Sequence, residues 1–325
     1  MKKWISILVI TSLLACCLSG CGGSKETVVI YTSLEDYRLE YLNARLAEEF
    51  PQYNIIVEYM TTGNHAARLL AEGVHTEGQI ILNLEYCYLQ QLDEAGILAD
   101  LSDYDKSAFM EEIVVSENFI PFNRNGGCII LNTELLKSYN LPEPTCYADL
   151  LKPEYKNLIS MPSPKSSGTG YMFLKALVNE WGEETALTYF DALTENILQY
   201  TSSGAGPLNA VLQGEVAIGL GMTAPSVTQL NEGRPIKILC FEEGSPYSMY
   251  GQSIIRGQEN NPAVRDVFDY LVNEFTYENN ELFFPEKIFR DKDYTIENYP
   301  NPIVYADMSG DTTDEKNRLL DLWDH

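Results

Sequence analysis

Residues 27–95 alternate between short apolar runs and longer stretches whose apolar residues recur at helical spacing. The predicted strands and helices are, in chain order, residues 27–33, 34–50, 54–60, 65–72, 79–84 and 86–95. A helix between two strands carries the chain back to the same edge of a sheet, so this order favours parallel pairing. The segment therefore predicts an α/β lobe with a mostly parallel sheet.

The pattern changes near residues 117–133, where residues 119–123 are extended and contain a proline. We interpret this piece as a crossing to a second lobe, and residues 243–253 as the return crossing. The expected division is residues 27–121 and 252–325 in the first lobe and residues 122–251 in the second. A cleft between two such lobes is a common ligand site, and it closes by a hinge motion.

Two loops of small polar residues stand out in the predicted second lobe. Ser166-Ser167-Gly168-Thr169-Gly170 precedes a predicted helix at 171–180, and residues 201–207 precede another at 208–213. The first turn of a helix has unpaired N–H groups and the positive end of the helix dipole. Glycines let a ligand approach the backbone, and hydroxyls add donors. The two loops together predict a site for an anionic group.

The N-terminus predicts where the protein is located. Lys2 and Lys3 precede an apolar run over residues 4–18, which ends in Leu-Ser-Gly before Cys21. This is the pattern of a secretory signal, and the closing residues resemble a bacterial lipobox. We expect a signal peptide at 1–20, a lipid on Cys21, and a tether at 21–26. The remaining chain is expected outside the cytoplasm, anchored to the cell membrane by lipid.

Composition excludes some functions. A formal net charge of −25 argues against a nucleic-acid partner, which needs a basic face. The chain has three histidines and no nucleophile-elbow, zinc-protease or phosphate-loop motif, so an enzyme is not expected. Four cysteines follow Cys21, with no C-x-x-C pair, and the sequence leaves open whether they are thiols or two disulfides. No metal site or cofactor is predicted.

Residues 166–171, 199–204 and 214–219 resemble the bacterial extracellular solute-binding proteins of ABC importers. Residues 29–33 and 126–132 resemble the same branch, which contains ferric-ion, thiamine, phosphonate and phosphosugar binders. The resemblance implies a type II periplasmic-binding-protein fold of two lobes. It also implies a small solute, an ABC permease and its ATPase as partners. We expect a monomer.

The predicted ligand-binding residues follow strands or form the two loops. They are Ser33, Asn64, Glu85, Ser166, Ser167, Gly168, Thr169, Gly170, Ser202, Ser203, Gly204 and Thr223. Simpler interpretations stay open for several of them. Ser33 also suits a helix cap, Asn64 a turn, and Glu85 a solvated acid in the first turn of a helix.

The ligand is predicted from the residue types of the loops. Hydroxyls and glycines favour a phosphate, phosphonate or carboxylate, and an acid such as Glu85 facing the cleft would suit an added amine. Ferric binders of this branch usually hold iron with neighbouring tyrosines, and this chain has no such pair. Ala224-Pro225 replaces a usual polar pair. Ferric-ion or thiamine receptors and a surface interaction protein without ligand remain the alternatives.

Overall fold

The computed structural model describes residues 25–325. The predicted signal peptide and the lipidation site at Cys21 lie outside the described residues. Within residues 25–325 no helix is both long enough and apolar enough to cross a membrane.

Nine strands and eleven α-helices make up the main elements of the described residues. The strands are β1 Thr27–Thr32, β2 Asn54–Tyr59, β3 Ile80–Glu85, β4 Ile120–Asn132, β5 Ile159–Pro162, β6 Ile197–Thr201, β7 Ile218–Met222, β8 Ile236–Leu239 and β9 Tyr247–Ile254. The helices are α1 Asp36–Glu49, α2 Thr62–Glu72, α3 Tyr86–Glu94, α4 Thr133–Ser138, α5 Gly168–Trp181, α6 Glu183–Thr194, α7 Gly206–Gln213, α8 Thr223–Asn231, α9 Pro262–Tyr270, α10 Thr276–Leu282 and α11 Thr313–Leu322. The α/β prediction is confirmed.

The strands pair in the order β2-β1-β3-β9-β4-β7-β5-β6, with β8 paired to β4. β1 is parallel to β2 and β3, and β5 is parallel to β6 and β7. β4 and β9 are antiparallel to their neighbours and to each other. The first half of β4 pairs with β9, and its second half pairs with β7 and β8. β4 and β9 are thus the strands that cross between the two lobes.

Two sets of hydrophobic clusters define these lobes. In the first lobe, β1 and β3 pack with residues of α1, α9 and the segment Leu271–Phe275. In the second lobe, β5 and β7 pack with residues of α5 and α6. Leu319 of α11 and Trp323 belong to this second cluster, and Trp323 lies edge-on to Phe190 at 5.1 Å. The last helix therefore differs from the expected division, which placed residues 252–325 in the first lobe.

Helices α5 and α7 begin earlier than predicted. α5 starts at Gly168 and not at residue 171, and α7 starts at Gly206 and not at residue 208. The N–H of Tyr171 donates to Ser167 O at 3.0 Å, which closes the first turn of α5. The predicted loops therefore supply the first helical turn itself, where free N–H groups are found.

Candidate ligand-binding cleft

A cleft with a volume of about 180 Å³ lies between the lobes. Residues of both lobes and of both crossing strands line it. They are Ser33, Glu35, Tyr59, Thr61, Thr62, Gly63, Asn83, Asn125, Ser166, Ser167, Gly168, Thr169, Ser202, Ser203, Gly204, Ala205, Met222 and Tyr250. Both Gly/Ser/Thr loops of the second lobe thus face one cleft, together with the carboxyl ends of strands from the first lobe, as expected for an α/β sheet.

The two loops of the second lobe touch each other. Gly204 lies so close to Thr169 that a Cβ at position 204 would overlap Thr169 Oγ1. Any larger residue at position 204 would force the Thr169 side chain to move. The close contact brings the first turn of α5 and the residues before α7 onto the same part of the cleft.

The start of α5 supplies hydrogen-bond donors that have no partner in the helix. The N–H groups of Ser166 and Ser167 both donate to Ser163 O, at 3.1 and 3.0 Å, and so form a tight turn. Gly168 and Thr169 are the next residues, and first-turn N–H groups have no acceptor within a helix. Ser167 occupies the N-cap position, but its side chain makes no capping hydrogen bond. Its hydroxyl is therefore available to a ligand.

Two further helices begin at the cleft. Ala205 is the N-cap of α7, and Thr61 is the N-cap of α2 in the first lobe. Neither side chain caps its helix, and Thr61, Thr62 and Gly63 all line the cleft. Each helix start carries about half a positive charge from the aligned peptide dipoles. Three helix starts on one cleft are an arrangement that favours an anionic group without ionised side chains.

The first-lobe face of the cleft is richer in acceptors. The hydroxyl of Ser33 donates to Asn83 O at 2.5 Å, so Ser33 is held by the neighbouring strand. Asn83 has a left-handed φ of 59° at an irregular point of β3, and its buried Oδ1 has no hydrogen-bond partner among the described residues. Glu35 also faces the cleft and pairs with the buried guanidinium of Arg38 at 2.9 Å. Glu35 is the one ionisable carboxylate among the lining residues.

The crossing strands form the floor of the cleft. Asn125 of β4 and Tyr250 of β9 are buried there, next to Met222 at the end of β7. The Asn125 amide lies 3.4 Å from Met222 Sδ, and its Oδ1 has no partner within residues 25–325. Burial raises the pKa of the Tyr250 hydroxyl well above its usual value, so this group stays protonated.

Glu85 was predicted as a ligand contact, but the structure places its charge elsewhere. Its Oε2 lies 2.6 Å from Lys316 Nζ of α11, and both side chains are almost completely buried. The Lys316 ammonium also lies over the rings of Tyr88 and Tyr171, at 4.6 and 4.7 Å. Glu85 therefore has an internal cation where the sequence suggested a ligand amine. Burial disfavours the charged lysine, but the adjacent carboxylate prevails and raises the pKa of Lys316 well above its usual value.

Glu85 also touches the other lobe. It lies against the start of α5, where a Cβ on Gly168 would overlap its Oε1. The Thr313 hydroxyl of α11 donates to Cys87 O at 2.9 Å beside this pair. The Glu85–Lys316 pair is thus part of the contact between the lobes and lies behind the cleft.

Three other predicted residues do not line the cleft. Asn64 is an exposed residue in the first turn of α2, and Gly63 lies at the surface of the cleft instead. Gly170 packs against β5, where a Cβ would overlap Pro162 O, so its role is in helix packing. Thr223 is buried at the start of α8, and the preceding Met222 forms the cleft surface.

Other lining residues were not predicted as ligand contacts. The main ones are Glu35, Tyr59, Thr61, Thr62, Asn83, Asn125 and Met222. Most lie at the carboxyl ends of β1, β2, β3 and β7 or just after them. The position of a residue at the end of a predicted strand was therefore the sequence feature that could have identified them. Asn125 was detectable as a polar residue inside the crossing segment.

The cysteines of the described residues are Cys87, Cys128, Cys146 and Cys240, and all four are free thiols in the structure. Among residues 25–325 there is no group of three or more His, Cys, Asp or Glu side chains placed to hold a metal ion. The site described above is therefore one of neutral hydrogen-bond donors and acceptors with a single paired carboxylate.

The chain belongs to the bacterial extracellular solute-binding proteins, because the model of that family matches residues 87–279. Proteins of this family are located outside the cytoplasm and deliver small solutes to ABC permeases. An uncharacterized protein of Haemophilus influenzae is 28% identical over 286 residues, covering 83% of this chain and 80% of that protein. The spermidine/putrescine-binding periplasmic protein of Salmonella typhimurium is 21% identical over 291 residues, covering 84% and 80%.

Solved structures of periplasmic binding proteins share the fold, which confirms the type II prediction. AfuA of Actinobacillus pleuropneumoniae with bound fructose-6-phosphate has a TM-score of 0.80 at 23% identity, covering 92% of this chain and 98% of AfuA. A periplasmic thiamin binding protein has a TM-score of 0.75 at 15% identity, covering 93% and 96%. Iron-bound HitA of Pseudomonas aeruginosa has a TM-score of 0.74 at 15% identity, covering 91% and 98%.

Proposed function

We propose that this protein captures a small anionic solute, such as a phosphonate or phosphate ester, in the cleft between its lobes. It then presents the closed complex to an ABC permease and its ATPase. Cleavage before Cys21 and lipidation of its sulfur would keep the receptor at the outer side of the cell membrane. No catalytic group is required for this role, since binding and release are its whole chemistry.

The observation that carries the proposal is the meeting of three helix starts at one cleft. α5 presents first-turn N–H groups, Ser167, Ser202 and Ser203 before α5 and α7 present hydroxyls, and α2 begins on the opposite face. Each neutral donor that reaches a charged oxygen contributes about 1.5–3 kcal/mol. Hydrogen bonds to an anion are stronger than those between neutral groups, so a few well-placed donors suffice without an arginine.

A phosphate ester is the more specific candidate. The ligand of AfuA, fructose-6-phosphate, combines a phosphate with hydroxyl groups. In this cleft the donors of the second lobe suit the anionic oxygens, while Asn83 Oδ1 and Asn125 Oδ1 are acceptors without partners among the described residues. An iron ligand is less well supported, because Fe(III) requires several anionic oxygen ligands, and Glu35 already pairs with Arg38.

Calorimetric titration of the mature protein with inorganic phosphate, a simple alkylphosphonate and a sugar phosphate tests this proposal. We expect at least one of them to bind, and Ser167→Ala and Ser203→Ala each to weaken that binding by about 1–3 kcal/mol. Ser138→Ala is the matched control, since Ser138 is an exposed residue of α4 whose hydroxyl bonds to Leu135 O. If both cleft variants bind every tested anion as tightly as the control, the anion site is not where we place it.

A further inference from the structure

Two of the free cysteines lie on neighbouring strands of the second lobe. Cys128 is in β4, and Cys240 follows the last residue of β8. β4 and β8 run antiparallel, with Ile129 opposite Leu239 as the last paired position. One further step along this register places Cys128 opposite Cys240.

Hydrogen bonds next to this ladder show which kind of pair the two cysteines form. The N–H of Thr133 donates to Pro235 O at 3.1 Å, so the odd-numbered positions of β4 bond toward β8. The N–H of Asn132 donates to Ala217 O at 2.9 Å, so the even-numbered positions bond toward β7. Cys128 therefore occupies a non-hydrogen-bonded position relative to β8. Cα atoms of such pairs are about 4.5 Å apart, within the range that a disulfide spans.

The two side chains also share one face of the sheet. Residues directly opposite in an antiparallel pair project to the same side. Cys128 is buried in a cluster with Ile130, and Cys240 packs against that cluster together with Ile238. Position and face thus agree in placing the two side chains next to each other on the same side of the sheet.

We propose that Cys128 and Cys240 form a disulfide in the extracytoplasmic protein. The family is located outside the cytoplasm, where disulfides form and persist. In the structure the two cysteines are not bonded to each other. The bond would join the two segments by which the chain enters and leaves the second lobe, since Cys128 follows the crossing part of β4 and Cys240 precedes β9.

The oxidant is a dithiol–disulfide oxidoreductase of the extracytoplasmic compartment. The Cys240 thiolate attacks its disulfide, which gives a mixed disulfide and releases one oxidoreductase thiol. The Cys128 thiolate then attacks the Cys240 sulfur, and the second oxidoreductase thiol leaves. Two cysteine thiols lose two electrons and two protons, and the oxidoreductase disulfide is reduced to two thiols.

We expect the disulfide to form during folding and not in the folded protein. Burial raises the pKa of the Cys128 thiol. It also raises the pKa of the Cys240 thiol, which is less deeply buried. Few thiolates are then present after folding, so direct oxidation of the native protein is slow. Cys240 is the more accessible of the two and lines a surface groove with Cys146. During folding both thiols are still in water and react at ordinary rates.

The bond would close residues 129–239 into one covalent loop that contains nearly all of the second lobe. Chain-entropy arguments predict a larger stabilisation for longer loops. Beside the pair, the Gly127 N–H donates to Pro246 O at 2.7 Å, so the two crossing segments are already in contact there. We expect the oxidised protein to unfold at a temperature about 5–10 °C higher than the reduced protein.

Refolding of the mature protein in a buffer of oxidised and reduced glutathione, compared with refolding in a reductant, tests the proposal. Trypsin cuts after Arg124, Lys137, Lys237 and Arg256, so mass spectrometry should find peptides 125–137 and 238–256 linked. Cys128→Ser and Cys240→Ser should each abolish this link and the rise in unfolding temperature. Cys146→Ser and Cys87→Ser should keep both.

Two results would overturn the assignment. Recovery of four free thiols after oxidative refolding would show that the pair does not close. A link between Cys146 and Cys240 would show that the groove, and not the strand register, selects the partner. Because Cys128→Ser and Cys240→Ser test the same bond from both sides, failure of one variant to fold still leaves the other as a measurement.

Discussion

The two faces of the cleft are built on different principles. The second-lobe face consists of helix starts, glycines and hydroxyls, and none of its lining side chains is ionisable. The first-lobe face has Glu35 and Asn83 Oδ1, which has no hydrogen-bond partner within residues 25–325, besides one helix start at Thr61. One face is thus suited to anionic oxygens, and the other to a part of the ligand that donates hydrogen bonds.

This difference explains which parts of the site were predictable. The second-lobe face comes from short contiguous segments, so residue type and spacing were enough to predict that Ser167, Thr169 and Ser203 lie at the cleft. The first-lobe face is assembled from single residues at the ends of separate strands. Its members depend on strand register and side-chain direction, which a pattern of residue types does not determine.

Glu85 is the clearest example of what a local pattern misses. Its position at the end of the strand β3 predicted a residue of the cleft, but its partner Lys316 lies 231 residues further along the chain. No short-range signal links the two. The same holds for Trp323, whose docking on the second lobe depends on a complementary surface that includes Phe190. The succession of strands and helices, in contrast, follows from local periodicity and agrees with the structure over most of the chain.

The largest expected effect is a loss of stability when the Glu85–Lys316 pair is broken, with little change in ligand affinity. Lys316→Met leaves the Glu85 carboxylate buried without its cation, so we expect the free energy of unfolding to fall by about 3–5 kcal/mol. Glu85→Gln should also destabilise the protein. Denaturant unfolding measures both losses, and titration with the bound anion should show much smaller changes in affinity.

The double variant Glu85→Gln/Lys316→Met is the control for this pair. It removes both charges, so its stability should exceed the value expected from adding the two single losses. Strictly additive losses would mean that the pair is not coupled. A loss of ligand affinity in Glu85→Gln without a loss of stability would show that Glu85 contacts the ligand after all.

The next effect concerns pH, and it should arise from the first lobe. His65 is buried in α2, and both ring nitrogens lack a hydrogen-bond partner among the described residues. Burial, assisted by the charge of Arg68, lowers the pKa of His65 to about 3. The unfolded chain binds a proton at His65 near pH 6.5, whereas the folded protein binds it only near pH 3. The free energy of unfolding is therefore unaffected by His65 above pH 6.5, and it falls as the pH drops from 6.5 toward 3. Between pH 6.5 and pH 4 the loss from this residue is about 3 kcal/mol.

His65→Leu isolates this contribution, because the other titrating groups are unchanged. Unfolding free energies of both proteins at pH 7 and pH 4 should differ in their pH dependence by about 3 kcal/mol, with the wild type losing more. Equal pH dependence of the two proteins would contradict the prediction. An NMR titration of His65 with a midpoint near its ordinary value would do so as well.

The smallest effect tests the comparison between the two faces most directly. Glu35→Gln removes the one ionisable carboxylate from the lining of the cleft, while Arg38 keeps its hydrogen bonds to Asn123 and Asn279 at 3.0 and 2.9 Å. A simple anion is repelled by Glu35 at long range, so the variant should bind it about two- to fivefold more tightly, and less so at high salt. Glu48→Gln, an exposed change near the far end of α1, which Glu35 precedes, should leave the affinity unchanged. Weaker binding by Glu35→Gln would instead show that the ligand places a cationic group on the first-lobe face, and that the two faces bind opposite ends of one molecule.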